Sequence, residues 1–288
     1  MPTALCDGIV TRYEVEGDGP PILMFSPGGF NAAIENWRAF SIYKRLGLVE
    51  HLSQSFRCIA FDKRESGQSG GRVERLSWDR YAAQGIDLLD ALEIEQAHLM
   101  GGCIGCSIAV NAAFDHPDRV LSLVLYSPAG GASYLATQHA RFDEHVAFVD
   151  EAGLAAVVEL ARTSAATFAQ DPRVGPWVSV LRNDAAFAER YASYAVEEYR
   201  TIVRESATGL FDRDTVPGAA ADRLRELAIP ALVVPGNDAN HATSAARYLA
   251  EQLPHAEYWD VLPEEQTSEN APQRVAQFLS SVSPRSSA

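Results

Sequence analysis

The sequence predicts an α/β fold, a doubly wound and mostly parallel sheet with helices on both faces. Three observations predict it. Short, wholly apolar runs recur, among them Pro21-Ile22-Leu23-Met24-Phe25 and Val120-Leu121-Ser122-Leu123-Val124-Leu125-Tyr126 with its single serine. Such runs suit strands covered on both faces. Stretches of helical periodicity separate the runs, so strand and helix alternate. A turn rich in Gly, Pro or Ser follows most of the runs.

In chain order, residues 9–16 (IVTRYEVE) alternate in part and stop at Gly17-Asp18-Gly19-Pro20, which reads as an antiparallel edge hairpin. The run 21–25 ends in Ser26-Pro27-Gly28-Gly29-Phe30, a turn able to leave amides free for an oxyanion. Helical periodicity covers 37–53. The next strand is 56–61 (FRCIAF), and the turn Asp62-Lys63-Arg64-Glu65-Ser66-Gly67-Gln68-Ser69 reads as self-bonded. Ser77 is the expected N-cap of a helix running to about residue 92. A strand at 97–100, a helix at 107–116 ended by Pro117 and a strand at 120–126 follow. From 132 to about 215 strand-like runs stop, and stretches such as 154–163 and 191–204 read as a helical insertion. Alternation then resumes with a strand at 230–234, a helix at 244–253, a strand at 256–262 and a helix at 273–282. Residues 281–288 read as a frayed tail.

Composition bounds the function. With 47% hydrophobic residues the chain can bury a sizeable core, in one large domain or two small ones. A net charge of −14 argues against nucleic acid and against anionic membranes as partners. No stretch approaches the roughly 18 apolar residues of a spanning helix. The first residues lack the basic start and apolar run of a signal peptide. Cys6, Cys58, Cys103 and Cys106 form neither a secreted framework nor a paired zinc set, so a reducing cytoplasm is expected. A small molecule is the expected partner. No metal or cofactor is expected, and self-association stays open.

The chemistry concentrates at Gly101-Gly102-Cys103-Ile104-Gly105, between the strand AHLM and the helix CSIAVNAAF. The pattern is Gly-x-nucleophile-x-Gly, with cysteine as nucleophile. Small residues must flank a side chain that is pushed out of a tight strand-to-helix turn. The first amides of the helix then face whatever the side chain attacks. Cys106, one helical turn on, is expected to fill a buried position behind the turn, with a redox pair as the alternative. His98 is expected in the core. His116, His51 and His255 are expected at element ends or the surface, and the facing of His139 and His145 stays open.

These landmarks resemble the α/β-hydrolase superfamily over nearly the full length. Pro27-Gly28-Gly29 stands where the family has its HG-x oxyanion turn. Asp62 to Ser69 is similar to its D-x-R-G-x-G-x-S, with Glu65 in place of glycine and expected at the surface. GGCIG matches the nucleophile elbow, and Gly236-Asn237-Asp238-Ala239-Asn240-His241 resembles the acid loop, one residue shortened. The resemblance implies an eight-stranded sheet, a core of residues 1–131 and 216–288, and a helical cap at 132–215. It implies that Cys103 is the nucleophile, that amides of Ile104 and of Gly29 or Phe30 form the oxyanion hole, and that Asp238 is the triad acid. The activity implied is hydrolysis of an ester, thioester or lactone of a small, partly apolar substrate.

Two departures bear on that activity. The nucleophile is a thiol, which a helix N-terminus favours as thiolate. The loop after the last strand, where the family carries its histidine, reads Leu262-Pro263-Glu264-Glu265-Gln266-Thr267-Ser268-Glu269 and has none. Two repairs are open. His241 can supply the imidazole, with Glu264 or Glu265 orienting it. Alternatively Glu265 acts as acid and base, its pKa raised by burial beside Asp238. If neither holds, the fold could host a lyase, a decarboxylase or a cofactor-free oxygenase, or a ligand-binding protein with a degenerate triad.

Overall fold

The computed structural model describes residues 1–283, the Ser41 side chain apart. The strands are β1 (Thr3–Cys6), β2 (Ile9–Glu16), β3 (Pro21–Phe25), β4 (Arg57–Phe61), β5 (Ala97–Gly102), β6 (Val120–Tyr126), β7 (Ala231–Val234) and β8 (Ala256–Tyr258). They form one sheet in the order β1-β2-β4-β3-β5-β6-β7-β8. The antiparallel edge hairpin is β1 and β2, joined through Asp7-Gly8, and β2 also runs antiparallel to β4; the turn at 17–20 instead leads to β3, which β4 separates from β2. All other pairs are parallel.

The helices are α1 (Asn36–Ala39), α2 (Ser41–Leu46), α3 (Leu48–Leu52), α4 (Trp78–Ala91), α5 (Gly105–Asp115), α6 (Ala132–Thr163), α7 (Val178–Asn183), α8 (Ala185–Ala192), α9 (Val196–Leu210), α10 (Ala221–Glu226), α11 (Thr243–Gln252) and α12 (Asn270–Val282). The periodic stretch 37–53 is therefore three short helices, because Phe40 turns extended and Gly47 is left-handed at φ 60°. Ser77 holds the N-cap position of α4 with no cap bond from its side chain. The segment 132–215 holds α6 to α9 and no strand, and α6 breaks at Gly153, φ 78°. Helix α12 runs through Val282, so the expected tail begins later; its residues from 284 lie outside the described ones.

The apolar runs are apolar because two layers cover them. Alternate residues Leu23, Phe25, Leu99, Leu123 and Val233 join the core shared with α4 and α5. Their neighbours Ile22, Met24, Met100, Val124 and Leu232 face Val49, Leu52, Val275 and Phe278 of α3 and α12. All of β5 is buried, so the turn that ends it is held on a rigid support. His98 sits in this core, bonded through Nδ1 to Ser122 Oγ (2.8 Å) and Nε2 to Ser283 Oγ (2.9 Å).

A candidate active site at the end of β5

Cys103 follows β5 and precedes α5 with φ 57°, in the left-handed region that favours glycine. Two glycines permit the turn. A Cβ on Gly101 would lie 2.3 Å from Gly105 O, and one on Gly105 would lie 2.3 Å from Phe25 O. The strained conformation costs about 1–3 kcal/mol and persists because its surroundings dictate it. Cys103 N donates to Tyr126 O at 3.1 Å, and Cys103 O accepts from Ala129 N at 3.2 Å.

The loop after β7 brings the second group. Gly130, after β6, pairs in a parallel bridge with His241, and Gly130 N donates to Asn240 O at 3.0 Å. Thr243 Oγ1 closes the loop onto Gly236 O at 2.9 Å. So held, the His241 ring bonds Asp238 through Nδ1, 2.9 Å from each carboxylate oxygen. Asp238 also accepts from the amides of Asn240 (2.8 Å) and His241 (3.0 Å). Nε2 is buried without an oxygen or nitrogen partner, and the Cys103 thiol is the group that faces it.

Charge follows geometry. Burial raises the Cys103 pKa, but the charge of neighbouring His241 and the amides of Ile104 and Gly28 outweigh it, and the thiol falls below its ordinary 9.0. Burial lowers the His241 pKa, but Cys103 and then Asp238 carry it up to about 9. The pair therefore favours thiolate and imidazolium. Cys106 does the opposite. It is fully buried, its Sγ rests 3.1 Å from Gly101 O, and burial pushes its thiol well up.

Gly29, Phe30 and Ile104 line a cavity beside the elbow, together with Tyr81 of α4, Tyr134 of α6 and Phe211 after α9. No carbonyl accepts from the amides of Gly29, Phe30 or Ile104 among the described residues. The cavity has about 10 Å³ of water-accessible volume, room for about one water.

A family model for the alpha/beta hydrolase fold matches residues 21–265. The chain belongs to the α/β-hydrolase fold family. Among its relatives, the dihydrolipoyllysine-residue acetyltransferase component of the acetoin cleaving system of Cupriavidus necator is 32% identical over 124 residues, 43% of this chain and 31% of that protein. The 2-hydroxymuconate semialdehyde hydrolase of Pseudomonas sp. (strain CF600) is 36% identical over 125 residues, 43% of this chain and 41% of that protein. The chain thus spans less than half the length of these curated relatives. The fold matches the enol-lactonase from Burkholderia xenovorans LB400 with a TM-score of 0.62 at 21% identity, over 97% of this chain and 100% of that one.

As an α/β-hydrolase the chain departs from the family pattern after β8, where Gln266 stands in the loop that has no histidine. Gln266 is fully buried. Its Oε1 accepts from Tyr126 OH at 2.5 Å and its Nε2 donates to Val261 O at 2.8 Å. Glu265 and Glu264 are exposed, and Glu265 enters the bonding only through its backbone. The partner of His241 Nδ1 is Asp238, not Glu264 or Glu265, and Glu265 is exposed rather than buried beside Asp238. The reason is reach. Asp238 lies three residues from His241 on one loop, whereas the turn 262–265 points its carboxylates to solvent.

Glu65 corrects a second expectation. It is fully buried, not at the surface, with φ 63°. Its Oε1 accepts from Arg64 Nε at 3.1 Å and its Oε2 lies 3.6 Å from Lys63 Nζ. His145 faces the interior of the helical segment, where Nε2 meets Tyr199 OH at 2.6 Å, and His139 binds Phe211 O at 2.9 Å. Neither joins Cys103. Tyr134 escaped the motif reading altogether, whereas Gly28 and Lys63 lay inside motifs without their contacts near the site being foreseen.

Proposed function

We propose that the protein is a cysteine-dependent hydrolase of esters, thioesters or lactones, with Cys103 as nucleophile, His241 as proton carrier and Asp238 as its orienting acid. The single observation behind this reading is the unpartnered His241 Nε2 facing the Cys103 thiol while Nδ1 is clamped by Asp238. A degenerate triad has no reason to keep that clamp.

The Cys103 sulfur adds to the substrate carbonyl, and the carbonyl π pair moves onto oxygen. Amides of the turn at 28–30 and of Ile104 stabilise that oxyanion. When the carbonyl re-forms, the bond to the leaving oxygen or sulfur breaks, and the Nε2 proton goes to that atom. Neutral His241 then takes a proton from water as the water oxygen attacks the acyl-cysteine. Collapse expels the thiolate and regenerates the ion pair. The helical segment 132–215 acts as a cap, since Tyr134, Leu210 and Phe211 close the cavity. Substrate entry therefore requires those side chains to move.

The test is a burst assay with 4-nitrophenyl acetate, followed by mass spectrometry of the protein. One equivalent of nitrophenol and an acetyl group on Cys103 are expected. An unmodified Cys103 with no burst would sink the reading. Glu265→Gln should leave both acylation and deacylation intact.

A further inference from the structure

Lys63 lies in the wall of the same cavity, and it is the only charged side chain there. It is 5% exposed. Its backbone amide donates to Ala32 O at 3.0 Å, which fixes the residue behind the turn at 28–31. Nζ donates to Arg64 O at 2.9 Å. Among the described residues no other oxygen lies within hydrogen-bond distance of Nζ. Nζ sits 4.0 Å from the Tyr81 ring centroid and 5.5 Å from that of Phe30, and the nearest carboxylate oxygen is Glu65 Oε2 at 3.6 Å.

Glu65 pairs with this cation electrostatically, but at 3.6 Å it takes none of the ammonium protons in a hydrogen bond, while its Oε1 accepts from Arg64. The surrounding charges are Arg64, Arg72 and Arg80 against Asp7, Glu65 and Glu74. A second observation points the same way. Tyr81 also lines the cavity, is buried, and its hydroxyl has no acceptor. An ammonium and a phenol, both short of acceptors in one apolar cavity, match the two oxygens of a carboxylate.

We propose that Lys63 and Tyr81 form a carboxylate subsite in the cavity beside Cys103. The preferred substrate is then a half-ester, half-thioester or lactone whose acyl chain carries a carboxylate a few carbons from the scissile carbonyl. Ile104 lines the cavity and offers its amide to the Cys103 sulfur, so the reacting carbonyl and the subsite share one short space. This rests on the acyl-cysteine reading above.

The test compares mono-4-nitrophenyl glutarate with 4-nitrophenyl valerate, which have equal acyl-chain lengths but differ in charge. The wild type should favour the glutarate ester by about tenfold or more in kcat/KM, chiefly through KM, as expected for one charge-assisted pair. In Lys63→Met/Glu65→Gln, which removes both charges together and strands neither, the ratio should fall to about one. Equal kcat/KM for the two esters in the wild type, or equal losses on both in the variant, would overturn the subsite and leave the hydrolase reading standing. No burst with either ester would instead overturn the hydrolase reading. A measurement on the wild type alone avoids both turnover and folding. Glutarate should protect Cys103 from iodoacetamide at concentrations about tenfold below those needed for pentanamide. Equal protection would overturn the subsite.

Discussion

His241→Gln tests the origin of the thiolate. The substitution removes the largest influence holding the Cys103 pKa down and leaves burial, which raises it, against two backbone amides. A thiol at its ordinary 9.0 is about 1% ionised at pH 7, and pairing with His241 raises that share. The loss of reactive species is therefore up to about a hundredfold. A thiolate of higher pKa is intrinsically more nucleophilic, with a Brønsted coefficient of about 0.4–0.5, which returns part of that loss. The expected fall in the rate of Cys103 alkylation by iodoacetamide is between about tenfold and a hundredfold at pH 7. At higher pH a larger share of both proteins is ionised, so the two rates should draw together. Alkylation is read by peptide mass spectrometry, with buried Cys106 and Cys58 as internal controls. A variant that reacts at the wild-type rate at pH 7 would refute the ion pair. A variant slowed by one factor at pH 7 and at higher pH alike would show that His241 supports geometry and not charge.

Three further outcomes follow from named contacts. The pH profile of kcat/KM should be a bell. It rises on the acid side as the depressed Cys103 thiol ionises and falls near pH 9 as the raised His241 loses its proton, both being apparent values of the coupled pair; an alkaline limb at pH 6–7 would contradict this. Glu65→Gly relieves a positive φ worth about 1–2 kcal/mol but strands Lys63 and Arg64 at a cost of about 3–5 kcal/mol, so thermal unfolding should show a net loss, and a gain would refute the buried pairing. Phe211→Ala removes a ring that packs on Phe30 and Tyr134 at 6.5 and 6.0 Å; it should cost about 3 kcal/mol of stability and raise the preference for 4-nitrophenyl octanoate over acetate by about tenfold, and an unchanged preference would mean that the cavity opens elsewhere.

Most of the fold was legible because its signals are local. The runs PILMF, AHLM and VLSLVLY are apolar on both faces, and a strand with two covered faces has no other way to read. The elbow was legible for a similar reason. Gly101 and Gly105 are demanded by backbone contacts within five residues and with β3. What sequence could not give was any pairing set by the packing of distant loops. His241 was named as a candidate, yet its orienting acid was sought after β8, because nothing local says that Asp238 Oδ1 and Oδ2 turn toward the ring three residues on. Glu65 looked like a surface residue because a carboxylate in a turn usually is one. Only the fold shows Lys63 and Arg64 closing over it. Lys63 itself is forty residues from Cys103 in sequence, and the cavity that it lines together with Ile104, the residue after Cys103, exists only once α4 and the turn at 28–31 are in place.

The cysteine and the missing histidine belong to one arrangement. The position after β8 is occupied by a fully buried Gln266 amide that ties Tyr126 to Val261, so it is committed to holding strands together. The imidazole nearest Cys103 among the described residues is His241 on the loop after β7, with Asp238 bonded to it on the same loop. That carboxylate is 61% exposed, against 21% for the His241 side chain. An exposed partner is screened by solvent and supplies orientation more than charge. A serine would need a base strengthened by a buried acid at the moment of attack. A thiolate needs a standing cation beside it, which His241 provides directly and the amides of Gly28 and Ile104 reinforce. Asp238→Asn should therefore slow Cys103 alkylation at pH 7 distinctly less than His241→Gln does. If the two variants fall alike, the carboxylate carries the charge of the site and the division of labour argued here is wrong.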